Sequence, residues 1–451
     1  MDFDLVSTAE AAEILGVTPQ RVTQLIRNKQ LDATMIGGNW LVDRASVEAR
    51  RSSVSQKGGR PRVGMSRDEV TFTLMNREHE IRQVIYSRKR KEFTHVEAFI
   101  DKDHAPLGVF GQRGVSDAVA FDMWWRGRGI PATRTGIQRI LDEAGVLVPE
   151  ELAMRNLGLS LSDQYWIRPK GVQLAWEDIN FFNNDFSKVS EATAPHCPVS
   201  TSAGAHPDNT SDGNLSKRWV MQGEKRVLTK GGGANNQEPY NEVVATALHT
   251  RMLQADDGFV RYRLINNAGT AQCACEDFLS DEEEFVPAIY VDRLLPERND
   301  LNRFQHYVRC CERLGVNETE LALYKMIVCD NIIANSDRHY RNFGIIRNVE
   351  TLACRPAPLF DSGSCLWFNT PLADLKRGEF SFQSKQFDPN PARQLLLVND
   401  MSWFEPECLD GFVDQAIEIL AANPMLSERL PFIRRSLERR VARIVDIRTW
   451  S

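Results

Sequence analysis

Apolar positions along the chain change their period several times. Residues 7–31, STAEAAEILGVTPQRVTQLIRNKQL, carry them at helical spacing in two short runs. Ser7 and Glu10 form a capping box, Ala9, Ala12 and Leu15 make an apolar face, and Gly16 stops the first helix. Thr18 caps a second helix with Pro19 at its first position, and Val22, Leu25 and Ile26 recur on one side of it. LDATMIGGNWLVDRASVEA then reads as a hairpin turning at Gly37-Gly38, with Trp40 behind it, followed by a short helix. From about Glu69 the pattern is that of successive strands, and DAVAFDMWWRGRGIP is helical until Ile130-Pro131 breaks it, with Trp124 and Trp125 as core or subdomain-contact residues. LGLSLSDQYWIRPKGVQLAWEDINFFNNDFS is rich in aromatics and turns, which predicts packing. SEATAPHCPVSTSAGAHPDNTSDG predicts a mobile loop.

The second half is patterned differently. TSDGNLSKRWVMQGEKRVLTKGG reads as a glycine-containing turn at Gly213, a strand, a Gln-Gly turn and a strand ending at Lys230. QEPYNEVVATALHTRML is a helix with Glu238 and Glu242 one turn apart on one face. ETELALYKMIVCDNIIANSDRHYRNFGII is an apolar helix that runs into a polar cluster and then a strand. The acidic run CEDFLSDEEEFVPAI predicts a solvated loop or face, and the C-terminal SERLPFIRRSLERRVARIVDIRTW a basic amphipathic helix closing a helical lobe.

Composition narrows the class. At 451 residues, with ordinary apolar and charged fractions, the chain has room for two to four globular domains. No apolar run approaches membrane-spanning length, and MDFDLVSTAE is not a signal sequence. The nine cysteines lack any CxxC pair, which predicts reduced thiols and a cytoplasmic protein. A net charge of −6 excludes a generally nucleic-acid-coating surface, yet the first 66 residues hold nine Lys/Arg against seven Asp/Glu.

That local excess bears on the first segment. Gln20, Arg21, Gln24 and Arg27 share the polar face of the second helix and are side chains that reach base edges and phosphates. The segment resembles an excisionase-type, MerR-like winged helix-turn-helix domain over roughly 6–50; the plain alternative is a helical pair docked on the rest of the chain. Arg60 and Arg62 in GGRPR resemble an AT-hook core suited to a narrow minor groove, and serve equally as a basic tether.

Phosphate chemistry enters with Lys230, which could reach nucleotide phosphates with either Glu238 or Glu242 holding it. Asp337 and Asn342 stand five apart, and Asp361 follows in PLFDSGS nineteen residues later. Phosphoryl transfer to a hydroxyl needs a carboxylate at the nucleophile and oxygen ligands for Mg²⁺, and this ordered set supplies both. Singly, Asp337 reads as a C-cap acid, Asn342 and Asp361 as turn residues and His339 as a brace of the loop; together their order points to phosphotransfer.

NSDRHYRNFG, PLFDSGS and the glycine loop–Lys230–helix module resemble the HipA-like serine/threonine kinases of bacterial toxin–antitoxin systems, over about residues 67–451. The resemblance implies an α+β, bilobed protein-kinase-like fold: a basic linker at 51–66, an N-terminal subdomain at 67–190, a kinase N-lobe at 191–295 and a helical C-lobe at 296–451. It implies Asp337 as catalytic base, Asn342 and Asp361 as Mg²⁺ ligands, and Lys230 on the ATP phosphates. Glu242 is its expected partner, with Glu238 close behind, and Gly213 and His339 lie about the nucleotide. The family's loop hydroxyl is autophosphorylated, and Thr210 or Ser211 would be the acceptor here. Expected partners are operator DNA through residues 1–62 and a protein bearing a Ser/Thr hydroxyl, with room for an antitoxin protein and a homodimer. A DNA-binding regulator built on an inactive kinase scaffold, and a phosphoinositide-type lipid kinase, are the alternative readings.

Overall fold

The computed structural model describes residues 4–54, 68–112, 114–130, 141, 152–154, 156–186, 206–210, 215–253, 258–378 and 380–450. The chain divides into two compact units, Met1–Asn214 and Leu215–Ser451. Residues 206–210 belong to the first unit because the Asn156 side chain accepts from the His206 N–H at 2.9 Å and donates to the His206 carbonyl at 3.1 Å.

The first unit opens with β1 (Leu5–Ser7), α1 (Thr8–Leu15), α2 (Pro19–Arg27), β2 (Ala33–Ile36), β3 (Asn39–Asp43) and α3 (Arg44–Val54). The capping box closes as the pattern dictates: the Glu10 N–H donates to Ser7 Oγ at 3.1 Å, and the Ser7 N–H to Glu10 Oε2 at 3.2 Å. Gly16 ends α1 at φ +66°, a left-handed conformation natural to glycine. Ala11 and Ala12, with Val22, Leu25 and Ile26, build the small core. Ala9, expected on the apolar face, is exposed and Ala11 takes its place. Gly37 and Gly38, at φ +54° and +76°, supply the two positive angles that a two-residue hairpin turn requires.

A second sheet follows in the order β6-β5-β4-β7, from β4 (Glu69–Asn76), β5 (His79–Ser87), β6 (Glu92–Val96) and β7 (Tyr165–Pro169). Its face is covered by α4 (Asp117–Arg126), whose Phe121 and Trp125 meet Phe93 edge-on at 4.8 and 5.2 Å. Trp124 and Trp125 are buried, as their setting predicts. The helix-turn-helix segment is seated on this layer. Asp4 bridges Arg44 at 3.1 Å and Arg88 at 2.9 Å, and the wing tip runs against the short helix α5 (Trp176–Ile179).

The second unit starts with β8 (Lys217–Gln222) and β9 (Lys225–Lys230), α6 (Glu238–Met252), β10 (Arg263–Asn267) and β11 (Thr270–Glu276), the sheet running β10-β11-β9-β8. A three-stranded sheet follows from β12 (Glu283–Pro287), β13 (Gly344–Asn348) and β14 (Cys354–Pro356). The longer helices of the rest are α7 (Arg303–Arg313), α8 (Thr319–Ile332), α9 (Phe412–Ala421) and α10 (Leu430–Trp450). As expected, α10 closes the helical part, burying Ile433, Leu437 and Ile444. The acidic run departs from expectation. Glu284 is buried on β12 and paired with Arg347 at 2.6 Å, because Phe285 and its neighbours form a strand instead of a solvated loop. No described helix is long and apolar enough to cross a membrane.

Candidate active site

Lys230 ends β9 between β11 and β8, opposite Cys273 on one side and Lys217 on the other. Apolar neighbours in the sheet sink its ammonium, which is almost wholly buried, and a buried ammonium needs partners. It donates to Glu242 Oε1 at 3.0 Å, Asp361 Oδ1 at 2.7 Å and the Tyr262 hydroxyl at 3.0 Å. Burial works against the charge, but Asp361 and Glu242 hold the lysine well above its ordinary value. Burial also pushes against the Asp361 carboxylate, and Lys230 and then Lys217 hold it well below the usual range. Burial raises Glu242 above the ordinary glutamate despite Lys230.

The geometry resolves which glutamate faces the lysine. Glu242 takes Lys230 with one oxygen and the Ser362 N–H with the other, at 3.0 Å. Glu238, one turn earlier, accepts from the Gly233 N–H at 3.0 Å and so fixes the glycine stretch after β9. Asn241 donates to the carbonyls of Gly363 and Cys365, both at 2.8 Å, so α6 carries the whole segment after Asp361. A Cβ at Gly363 would lie 3.2 Å from the Glu238 carbonyl and 3.3 Å from Glu242, which accounts for a small residue there. Asp361 itself has φ +55°.

The Asp337–Asn342 loop is organised by a residue the motif reading passed over. Arg338 is fully buried and donates to both oxygens of Asp330, at 2.9 and 3.0 Å, and to Ser362 Oγ at 2.8 Å. Its Nη1 serves the carbonyls of Asn342, at 2.9 Å, and Phe360. One guanidinium thus ties the end of α8, the loop and both sides of Asp361 together. Asp330 accepts two more bonds, from Asn335 and Gln386, each at 2.8 Å.

Asn342 donates its amide nitrogen to the Asp337 carbonyl at 2.8 Å, which leaves its amide oxygen as the end offered to a metal. The oxygen-only donor set of Asn342 and Asp361 suits Mg²⁺, which takes one or two protein oxygens beside phosphate and water. His339 is half-buried, and its Nδ1 accepts from the Arg341 N–H at 3.3 Å, a bond internal to the loop. Asp337 Oδ1 accepts from Lys385 Nζ at 2.5 Å. Lys385 and Lys217, like Arg338, are residues that sequence reasoning missed. Lys385 comes from 48 positions downstream, and Lys217 is brought beside Lys230 by strand register alone. Two lysines directly opposite one another repel unless anions lie between them.

The loop before β8 is only partly described. Gly213 and Ser211 lie outside the described residues. Thr210 is buried, and its hydroxyl donates to the Leu159 carbonyl at 2.7 Å within the first unit. On the DNA-reading side, Gln20, Arg21, Gln24 and Arg27 are all exposed on α2, while Arg60 and Arg62 lie outside the described residues.

The second unit thus joins a buried Lys–Glu pair on a sheet and helix to Asp361, whose flanking residues Arg338 ties to the Asp337–Asn342 loop, and the first unit opens with a helix-turn-helix domain. A family model described as a helix-turn-helix domain matches residues 5–53. The serine/threonine-protein kinase CtkA of Helicobacter pylori is 28% identical over 107 residues, 22% of this chain and 32% of that protein. The match therefore spans about a third of that relative's length. The crystal structure of CtkA, described as a proinflammatory kinase, gives a TM-score of 0.35 at 18% identity, covering 51% of this chain and 96% of that one. HipA of Shewanella oneidensis MR-1, solved with HipB and operator DNA, gives 0.47 at 13% identity, covering 82% and 97%.

Proposed function

We propose that the second unit is an ATP- and Mg²⁺-dependent kinase acting on Ser or Thr hydroxyls of proteins, fused to a domain that binds operator DNA. The observation that carries the reading is the convergence of Lys230, Glu242 and Asp361 in one buried cluster, tied by Arg338 to the loop bearing Asp337 and Asn342. Lys230, kept charged by its two carboxylates, offers a fixed cation to nucleotide phosphates. Magnesium, held by Asn342 and Asp361, would supply neutralisation of phosphate charge. Asp337 takes the proton of the attacking hydroxyl, and Lys385 fixes the carboxylate that receives it. Buried, hydrogen-bonded carriers of this kind keep the groups in place before substrate arrives.

The DNA partner follows from the exposed face of α2, whose Gln20, Arg21, Gln24 and Arg27 suit a major groove. A kinase joined to such a reader acts in the cytoplasm, as a self-contained regulator. Autophosphorylation falls to Thr210 or Ser211, and Thr210 would first have to release its bond to the Leu159 carbonyl. Mass spectrometry after incubation with Mg-ATP tests both parts: wild type should acquire phosphate between Asn209 and Ser216, and Lys230→Met should not. An unmodified loop in protein that phosphorylates other substrates removes the autoregulation, and absence of any transfer favours the inactive-scaffold alternative.

A further inference from the structure

Away from the kinase centre, the hairpin that joins β4 to β5 meets a later turn in a group of three potential metal ligands, His79, Asp101 and His104. One donor atom from each lies within 4.8 Å of the others, and all three residues are half-buried. His104 Nδ1 is 2.7 Å from Asp101 Oδ2, and His79 Nδ1 is 3.8 Å from the same oxygen. The second separation is too long for a hydrogen bond. Bonds of about 2.0–2.2 Å to zinc in a tetrahedral arrangement set donors about 3.4 Å apart, and the two observed separations bracket that value.

The donors are held by backbone on both sides. Asp101 Oδ1 accepts from the N–H groups of Asp103, at 3.0 Å, and His104, at 3.2 Å, which turns Oδ2 toward the histidines. The His104 carbonyl accepts from the Tyr165 hydroxyl at 3.0 Å, anchoring that turn to β7. His79 opens β5 in register with Asn76. The two imidazoles stack at 4.2 Å between centroids and 5° between planes, presenting the same kind of nitrogen to one carboxylate oxygen. The outer torsion of each imidazole is soft, and an ion shared by the two parallel rings requires them to turn about it.

We propose that His79, Asp101 and His104 form a binding site for a divalent transition ion of the zinc class, with water in the remaining position. Two imidazoles and a carboxylate are the ligand set such ions prefer, and magnesium does not. The site lies in the first unit and owes nothing to the phosphotransfer reading.

The test uses the full chain, stripped with EDTA and held in excess Mg²⁺ so that oxygen-only sites are filled. Titration with Zn²⁺ should show one saturable site, and Co²⁺ should give the visible absorption of a four-coordinate, nitrogen-ligated ion. Loss of an outer-shell partner commonly costs 10–100-fold in affinity, so His79→Gln and His104→Gln, each removing a ligand, should weaken binding at least about tenfold. Circular dichroism confirms that the variants fold. Zinc binding unchanged in His79→Gln/His104→Gln, or no binding by wild type at millimolar Zn²⁺, overturns the proposal.

Discussion

Replacing Arg338 by Met removes the guanidinium that joins α8, the Asp337–Asn342 loop and the Asp361 segment. Removing one partner of a buried ion pair costs about 3–5 kcal/mol. Asp330 keeps its donors Asn335 and Gln386, which favours the lower end of that range. The carbonyls of Asn342 and Phe360 lose a charged donor, and with the loop carbonyl turning to water the one left unsatisfied adds about 1–3 kcal/mol. The expected loss is therefore about 4–6 kcal/mol, a large part of the roughly 5–15 kcal/mol that domains possess. With a urea m-value of about 3 kcal/mol/M, the midpoint of the second unit should fall by about 1–2 M. Asp330→Asn in the same background should recover at least about 1 kcal/mol of coupling. Molecules that remain folded should transfer phosphate about a hundredfold more slowly, since displacements near 1 Å cost that much. A loss below about 1 kcal/mol, or additivity of the two substitutions within about 0.5 kcal/mol, would refute the assignment of Arg338 as the tie.

Three further outcomes follow from particular contacts. Lys385→Met should lower kcat about three- to tenfold with little change in KM for ATP; because Lys385 is half exposed, the difference should shrink as salt rises, and a salt-independent difference would contradict it. His249 is buried and held neutral, first by burial and then by the charge of Arg338, with its value pushed down to about 3. Its contribution is complete above about pH 6.5 and is lost as pH falls, by about 2–3 kcal/mol at pH 4.5, so His249→Gln should flatten the acid side of a urea stability profile. Gly37→Ala combines a positive φ with a Cβ placed 1.9 Å from the Asp178 carbonyl, so the helix-turn-helix segment should be cut more readily by protease while the second unit's melting is unchanged.

The parts legible in the sequence were those fixed by local rules. Caps at Ser7 and Thr18, the glycine pair at the wing and the five-residue spacing from Asp337 to Asn342 depend on neighbours along the chain. Lys230 was legible as a strand-end lysine, but its burial was not, because that follows from the strands on either side. Glu242 could be separated from Glu238 only by the three-dimensional path of the glycine stretch, which claims the earlier carboxylate. Arg338 and Asp330 look like ordinary polar residues at a helix exit, and nothing local says that an arginine will be wholly enclosed. Lys385 reaches Asp337 through tertiary folding, and Glu284 is buried because one strand pairs through an acidic run. Ala9 gave way to Ala11 because a short helix can turn slightly on its core without changing its periodicity.

Transfer of labelled terminal phosphate from ATP, by wild type beside Asp337→Asn, bears most directly on the central claim. The substitution keeps the shape of the side chain and the backbone carbonyl that Asn342 uses, so nucleotide binding should persist. Positioned proton transfer contributes about 10²–10⁴-fold, and the rate should fall by that factor. Equal rates from the two proteins, or no transfer from wild type under conditions where it binds ATP, would contradict the account.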